Sequence, residues 1–382
     1  MLVNLGNPVL YWTLKILLLT TLFICGYLIS YKDPKGVKFW KYSSWAILFY
    51  SLEMGLRWNR SWDYPHYYQD LTGELYTKYN DFTYLIWVDF FKFTGLPYWV
   101  AFIFYSAILI YAFLLLLQKY PKYAIWALPL FLIIPTQADN HVRQFFAMAF
   151  LLMAYRFYLD HDYKKTILAF FCTITIHVSG LFALLFFLLV EFVPFDRRIK
   201  KPWILIVTYI LFYFYWDTSN LDAFARTIGK LNLGEDVSMQ GYLDKADYWL
   251  TNDSNISEKL GVKVVASKSY FIVLTLFINS LIIYYGFYVC RNNNKLRLLY
   301  WSFIFILFWR IFGGNNEIFS RISNWFICFE PLLIGAIWVE SKFTKKYKYI
   351  VLFSFIYMFY YVGFVTKMFT VSLTGYAYIW DK

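Results

Sequence analysis

Apolar residues in this chain come in long runs, most of them closed by short polar stretches that carry lysine or arginine. The runs fall at residues 9–31, 39–56, 98–118, 123–135, 143–159, 165–192, 203–216, 269–290, 298–312, 322–339 and 349–367. A straight membrane-crossing helix needs about 20 apolar residues. Runs of that length predict spans, and the shorter ones predict tilted, broken or re-entrant helices packed against protein. The pattern predicts an all-α, polytopic transmembrane bundle of about 12 membrane helices, some short, broken or re-entrant. It predicts one membrane domain over residues 1–382.

The polar stretches set the orientation. Lys32, Lys35, Lys38 and Lys41 follow the first run, Lys119 and Lys122 the third, and Lys164 and Lys165 the fifth. Arg197, Arg198, Lys200 and Lys201 come next, then Arg291, Lys295 and Arg297, then Lys342, Lys345, Lys346 and Lys348. Short basic loops face the cytoplasm. With these inside, both termini are expected to be extracytoplasmic, provided that residues 165–192 enter and return. That segment of about 28 residues is long for one span and short for two. Both of its ends are basic, so a break is expected at His177-Val178-Ser179-Gly180, toward the outer side.

Two outer loops follow from this alternation. Residues 57–97 form the first, and within it residues 81–95, which carry Asp89 and Lys92, predict an amphipathic or re-entrant helix. Residues 217–268 form a large extracytoplasmic loop. Within it Leu221, Phe224, Ala225, Ile228 and Leu231 follow helical spacing, as do Met239, Tyr242, Leu243 and Ala246. A loop of that length is commonly a lid or binding element.

Composition narrows the class. Of 382 residues, 60% are hydrophobic, against about half in soluble domains. The net charge of +12 resides in loops between apolar runs, not on a separate basic domain, which argues against a nucleic-acid partner. Cys25, Cys172, Cys290 and Cys328 all fall in apolar runs and read as small buried hydrophobes. The histidines are His66, His141, His161 and His177, and they lack metal-ligand spacing. Neither a metal nor a cofactor is expected.

Some charges remain on the outer side. Arg57 and Arg60 follow the second run, Arg143 opens the fifth, and Arg310 and Arg321 flank Gly313-Gly314-Asn315-Asn316-Glu317. Arginine at the bilayer centre costs about 2.5–3.5 kcal/mol on insertion scales, so it calls for a partner or a function. Several guanidinium groups at one membrane face suit a diphosphate, whose oxygens the planar fork binds in pairs. A Gly313-Gly314 turn would add backbone donors. Snorkelling, or pairing with Asp63, Asp139 or Glu317, is the plainer reading for any one arginine. Asp63, Tyr64, His66, Tyr67 and Tyr68 offer the carboxylate and flat rings that sugars bind.

Arg57 with Asp63 and Tyr67, then Arg143-Gln144 with Ala147, then His177-Val178-Ser179, then Arg321 with Asn324, in that order, resemble the EpsG family of exopolysaccharide proteins. That family is similar to the Wzy-type O-antigen and capsule polymerases. The resemblance implies a membrane glycosyltransferase of the GT-C type at the bacterial plasma (inner) membrane, with its site facing outward. The donor would be a growing glycan on undecaprenyl diphosphate, and the acceptor a single repeat unit on the same carrier. Membrane lipid is then a partner, and a chain-length regulator a further candidate. On this reading Arg143 and Arg321 neutralise the leaving diphosphate, and His177 is the candidate base or orients the acceptor hydroxyl. Arg57, Arg60, Asp63, Tyr67, Gln144, Arg310 and Asn324 are the candidate substrate-binding residues. Asp63 and Asp139 are rival bases. An O-antigen ligase-like enzyme, a lipid-linked sugar flippase or transporter, and a membrane acyltransferase remain alternatives.

Overall fold

The computed structural model describes residues 6–61, 63–73, 81–193, 195–216, 269–291, 293–313, 317–340, 356, 358–363, 365 and 376–381. The 217–268 loop, the tip of the 313–317 turn, the lysines at 342–348 and most of the 349–367 run lie outside these residues. Contacts divide the chain into two compact units, one of residues 1–189 with 327–382 and one of residues 190–326. The described residues are helical throughout, apart from one isolated antiparallel bridge, Arg57 with Tyr378.

The first unit holds α1 (Pro8–Tyr27), α2 (Phe39–Gly55), α3 (Tyr64–Thr72), α4 (Phe82–Thr94), α5 (Tyr98–Leu117), α6 (Ala124–Ile133), α7 (Val142–Tyr158), α8 (Tyr163–Ile176) and α9 (Gly180–Phe192). Local chemistry sets several starts. Asn7 caps α1 by accepting from Val9 N (2.9 Å) and Leu10 N (3.2 Å), with Pro8 in the first turn. A short π-turn, Leu28–Lys32, extends that first apolar run. The main helices pack in the order α6, α1, α2, α5, α7, α8.

Residues 165–192 do break where the basic flanks require it. Helix α8 ends at Ile176 and α9 begins at Gly180, and the Phe170 and Phe187 rings meet at 5.1 Å as α9 returns beside α8. Gly180 makes this possible. A Cβ there would lie 2.9 Å from Thr173 Cγ2, inside ordinary contact distance. Helix α4 matches the short helix expected within the 57–97 loop. Tyr84, Val88 and Phe91 are buried, while Phe82, Ile86, Phe90 and Phe93 are exposed.

The 322–339 run is one of the shorter ones expected to be tilted, broken or re-entrant, and it is broken. It is not one helix but Glu317–Asn324, a 3₁₀ turn at Ile327–Phe329, and Glu330–Glu340. Pro331 accounts for the break, because its ring clashes with the carbonyl four residues back and it has no N–H to donate. Chain order makes these pieces α14 and α15. The second unit holds α10 (Phe195–Arg198), α11 (Pro202–Tyr215), α12 (Ser269–Arg291), α13 (Arg297–Gly313) and α14. In it α11 packs on α12 and α13, and α13 on α14.

Among the described residues, four stretches are long and apolar enough to cross a membrane: Pro8–Lys32, Tyr98–Leu117, Ile272–Arg291 and Arg321–Glu340. Three shorter apolar helices, Pro121–Ile133, Gly180–Phe192 and Pro202–Tyr215, accompany them. This is the make-up of a multi-pass membrane protein.

The first unit has two distinct ends. At one, Ser30 Oγ donates to Pro121 O (3.0 Å), Lys119 and Arg156 pair with Asp160, and Tyr123 OH donates to Glu340 (3.0 Å). This turn end gathers the basic turns around residues 32, 119 and 160. The opposite, loop end gathers residues 57–63, 136–141, 177–179 and 377–379. Both terminal segments share it: Gly6 lies against Ala377, and Trp58 N donates to Ala377 O (2.9 Å).

Candidate functional site

At the loop end, the chain leaves α2 through a tightly fixed loop. Trp58 N and Ile379 N donate across the Arg57–Tyr378 bridge, to Ala377 O and Leu56 O, both at 2.9 Å. Asn59 (φ 47°) and Ser61 (φ 110°) are held in left-handed backbone, which side-chain-bearing residues rarely adopt. The segment before α7 grips this loop from the far side. Ser61 Oγ donates to Asp139 O (3.0 Å), and Asp63 N donates to Asn140 Oδ1 (3.0 Å).

The two arginines of this loop are turned into the protein. Arg57 is 1% exposed; its guanidinium donates to Met54 O and to Asp139 O (3.2 Å) and lies 4.8 Å from the Phe102 ring centre. Arg60 is 2% exposed and donates to Glu53 Oε1 and Glu53 O, both at 3.2 Å. The Tyr11 and Tyr378 rings lie 5.0 and 4.7 Å from its guanidinium. Lys15 Nζ meets Glu53 Oε2 at 2.7 Å, and Tyr378 OH donates to Oε1 at 3.1 Å. One buried carboxylate thus organises α1, α2, the loop and the 376–381 segment. Sequence reasoning missed both Lys15 and Glu53, although each is a charge inside an apolar run, the same signal that singled out Arg143.

Arg143 is the second residue of α7 and mostly buried. It pairs with Asp81, at 2.9 Å from Nη1 to Oδ2. The other oxygen of Asp81 accepts from Val178 N at 3.1 Å, in the break between α8 and α9. Next to it His177 Nδ1 meets Ser179 Oγ at 2.9 Å. The expected Arg143 and His177 are therefore drawn to the same place by a carboxylate that sequence reasoning read only as the start of α4. Burial pushes the Asp81 carboxyl upward, against the opposing pull of the Arg143 guanidinium and the Val178 N–H. Thr83 Oγ1 and Thr175 Oγ1, 2.8 Å apart, hold α4 to α8 just beyond.

The remaining candidates divide between the units. Gln144 is buried beside Arg143, and Tyr67 is buried with its ring 6.4 Å from that of Tyr84, which also faces Arg143. Asp63 is half-buried and His66 exposed. Arg310, exposed near the end of α13, and Arg321 and Asn324 on α14 belong to the second unit. There Asn279 Nδ2 donates to Tyr209 OH at 2.8 Å.

The loop end thus holds a guanidinium paired with a carboxylate whose second oxygen fixes the turn that carries an imidazole in contact with a serine. No curated protein and no solved structure matches the chain. The sequence model of the EpsG family matches residues 40–379.

Proposed function

The chain belongs to the EpsG family, whose members have a role in exopolysaccharide biosynthesis, and from that premise we propose that it polymerises lipid-linked repeat units on the outer face of the plasma membrane. The acceptor is a repeat unit on undecaprenyl diphosphate, and one of its sugar hydroxyls attacks the anomeric carbon of the donor glycan. The new glycosidic C–O bond forms as the bond to the donor's diphosphate breaks, and undecaprenyl diphosphate leaves with the electron pair. The hydroxyl proton passes to a base.

The observation that carries this reading is the junction of Arg143 and the His177 turn on Asp81. A diphosphate is already a good leaving group, so the chief requirement is to neutralise the charge it gathers in the transition state. Arg143 serves this role. From the family resemblance alone, Arg321 is assigned the same role, and Arg310 and Asn324 are assigned to substrate binding. His177 is the base or orients the hydroxyl. For Nε2 to take the proton, Nδ1 must carry hydrogen and donate to Ser179. Asp63, Tyr67 and Gln144 line the approach. Arg57 and Arg60 act by fixing the loop, since both guanidinium groups engage protein acceptors.

The test is a deletion strain complemented with Arg143→Ala, His177→Ala or Arg321→Ala. Each is expected to leave single repeat units on the final lipid in place of a ladder of chain lengths. A wild-type ladder from Arg143→Ala overturns the reading. A ligase would instead leave full-length chains on the carrier lipid, and a flippase would leave repeat units on the cytoplasmic face.

A further inference from the structure

We propose that Asp81 is a positioning residue for this transfer reaction, one carboxylate setting both the Arg143 fork and the backbone that carries His177. The inference rests on the polymerase reading given above and assigns a part to a residue outside the motifs that suggested it.

Three observations point the same way. Asp81 stands at the N-cap of α4, where an aspartate ordinarily accepts from an N–H of its own first turn. Its side chain makes no such bond. Each oxygen instead reaches another element, Oδ2 to Nη1 of Arg143 on α7 and Oδ1 to Val178 N between α8 and α9. The carboxylate is also buried, at 6% exposure, where an ion pair is held in register more firmly than at the surface. Removing it would free the fork to rotate and loosen the turn on which the His177–Ser179 pair depends. Displacements of about 1 Å at such a site lower rates on the order of 10²-fold.

The experiment uses full-length protein in detergent and the lipid-linked repeat units that accumulate in the deletion strain. Turnover is expressed per folded molecule, judged by monodisperse elution. Asp81→Asn, which keeps the shape and the Val178 acceptor but loses the charge, is expected to lower kcat on the order of 10²-fold with KM changed far less. Asp81→Glu is expected to recover part of that loss. Adding Asp81→Asn to Arg143→Ala is expected to lower kcat no further, because the carboxylate acts on the reaction chiefly through that arginine. A wild-type kcat from Asp81→Asn, or a double variant whose loss is the product of the two single losses, overturns the proposal. Should Asp81→Asn fail to accumulate, the same cycle is run with Asp81→Glu. Normal polymerisation by Arg143→Ala would remove the polymerase reading itself, whereas inactive Arg143→Ala beside fully active Asp81→Asn removes only the role of Asp81.

Discussion

At the turn end of the first unit, the ion pairs are partly exposed and packing does much of the holding. Lys119 and Arg156 reach Asp160, and Lys165 pairs with Asp162, while Asp33, buried, accepts from Val37 N and Lys38 N. The helices there close on backbone: a Cβ on Gly26 would lie 2.6 Å from Ala124 O, and Ser30 hydrogen-bonds the Pro121 carbonyl. At the loop end the arrangement is inverted. Lys15, Glu53, Arg57, Arg60 and Asp81 are all buried. Buried ion pairs add little net stability compared with apolar packing, but they fix groups in place and punish the loss of either partner. The turn end is thus built to be stable and correctly oriented. The loop end is built to keep charged groups at set positions.

The contrast can be broken at its strongest point first. Glu53→Ala leaves Lys15 and Arg60 buried without their shared carboxylate, and is expected to remove about 3–5 kcal/mol of stability. Thermal unfolding in detergent reads this directly, and an unchanged midpoint would mean the buried cluster holds nothing. Gly26→Ala tests the opposite end, where an added methyl must push α1 from α6 at about 1–3 kcal/mol. That variant should still polymerise at a normal rate per folded molecule, and a specific loss of kcat would blur the division between the ends. Lys165→Ala removes a largely exposed pair and is expected to leave the unfolding midpoint nearly unchanged.

Much of the frame was legible in the sequence because apolar runs and basic turns report local properties. The ends of α2, α5 and α7 fall within a residue or two of the runs that predicted them, and the α8–α9 break followed from two basic flanks on one overlong segment. A break in the 322–339 run was within what its short length allows, but its place before Pro331 was not read, because the surrounding run is apolar enough to mask a single proline. The site was legible in part. Arg143 and His177 stand out because a charged group in an apolar setting calls for a reason. Their link through Asp81 was hidden, since it depends on how α4, α7 and α8 are rotated against one another. The same holds for Lys15 and Glu53, which look like isolated interruptions until α1 and α2 are seen side by side.

The Tyr378 hydroxyl on Glu53 joins residues 325 positions apart. Translation at about 5–20 residues per second separates their appearance by on the order of half a minute. During that interval α1 and α2 are already in the bilayer, with Lys15, Glu53 and Arg60 awaiting the ring that closes over them. The loop end is therefore completed late, so a nascent chain halted before Tyr378 carries its loops but not the clasp that sets them.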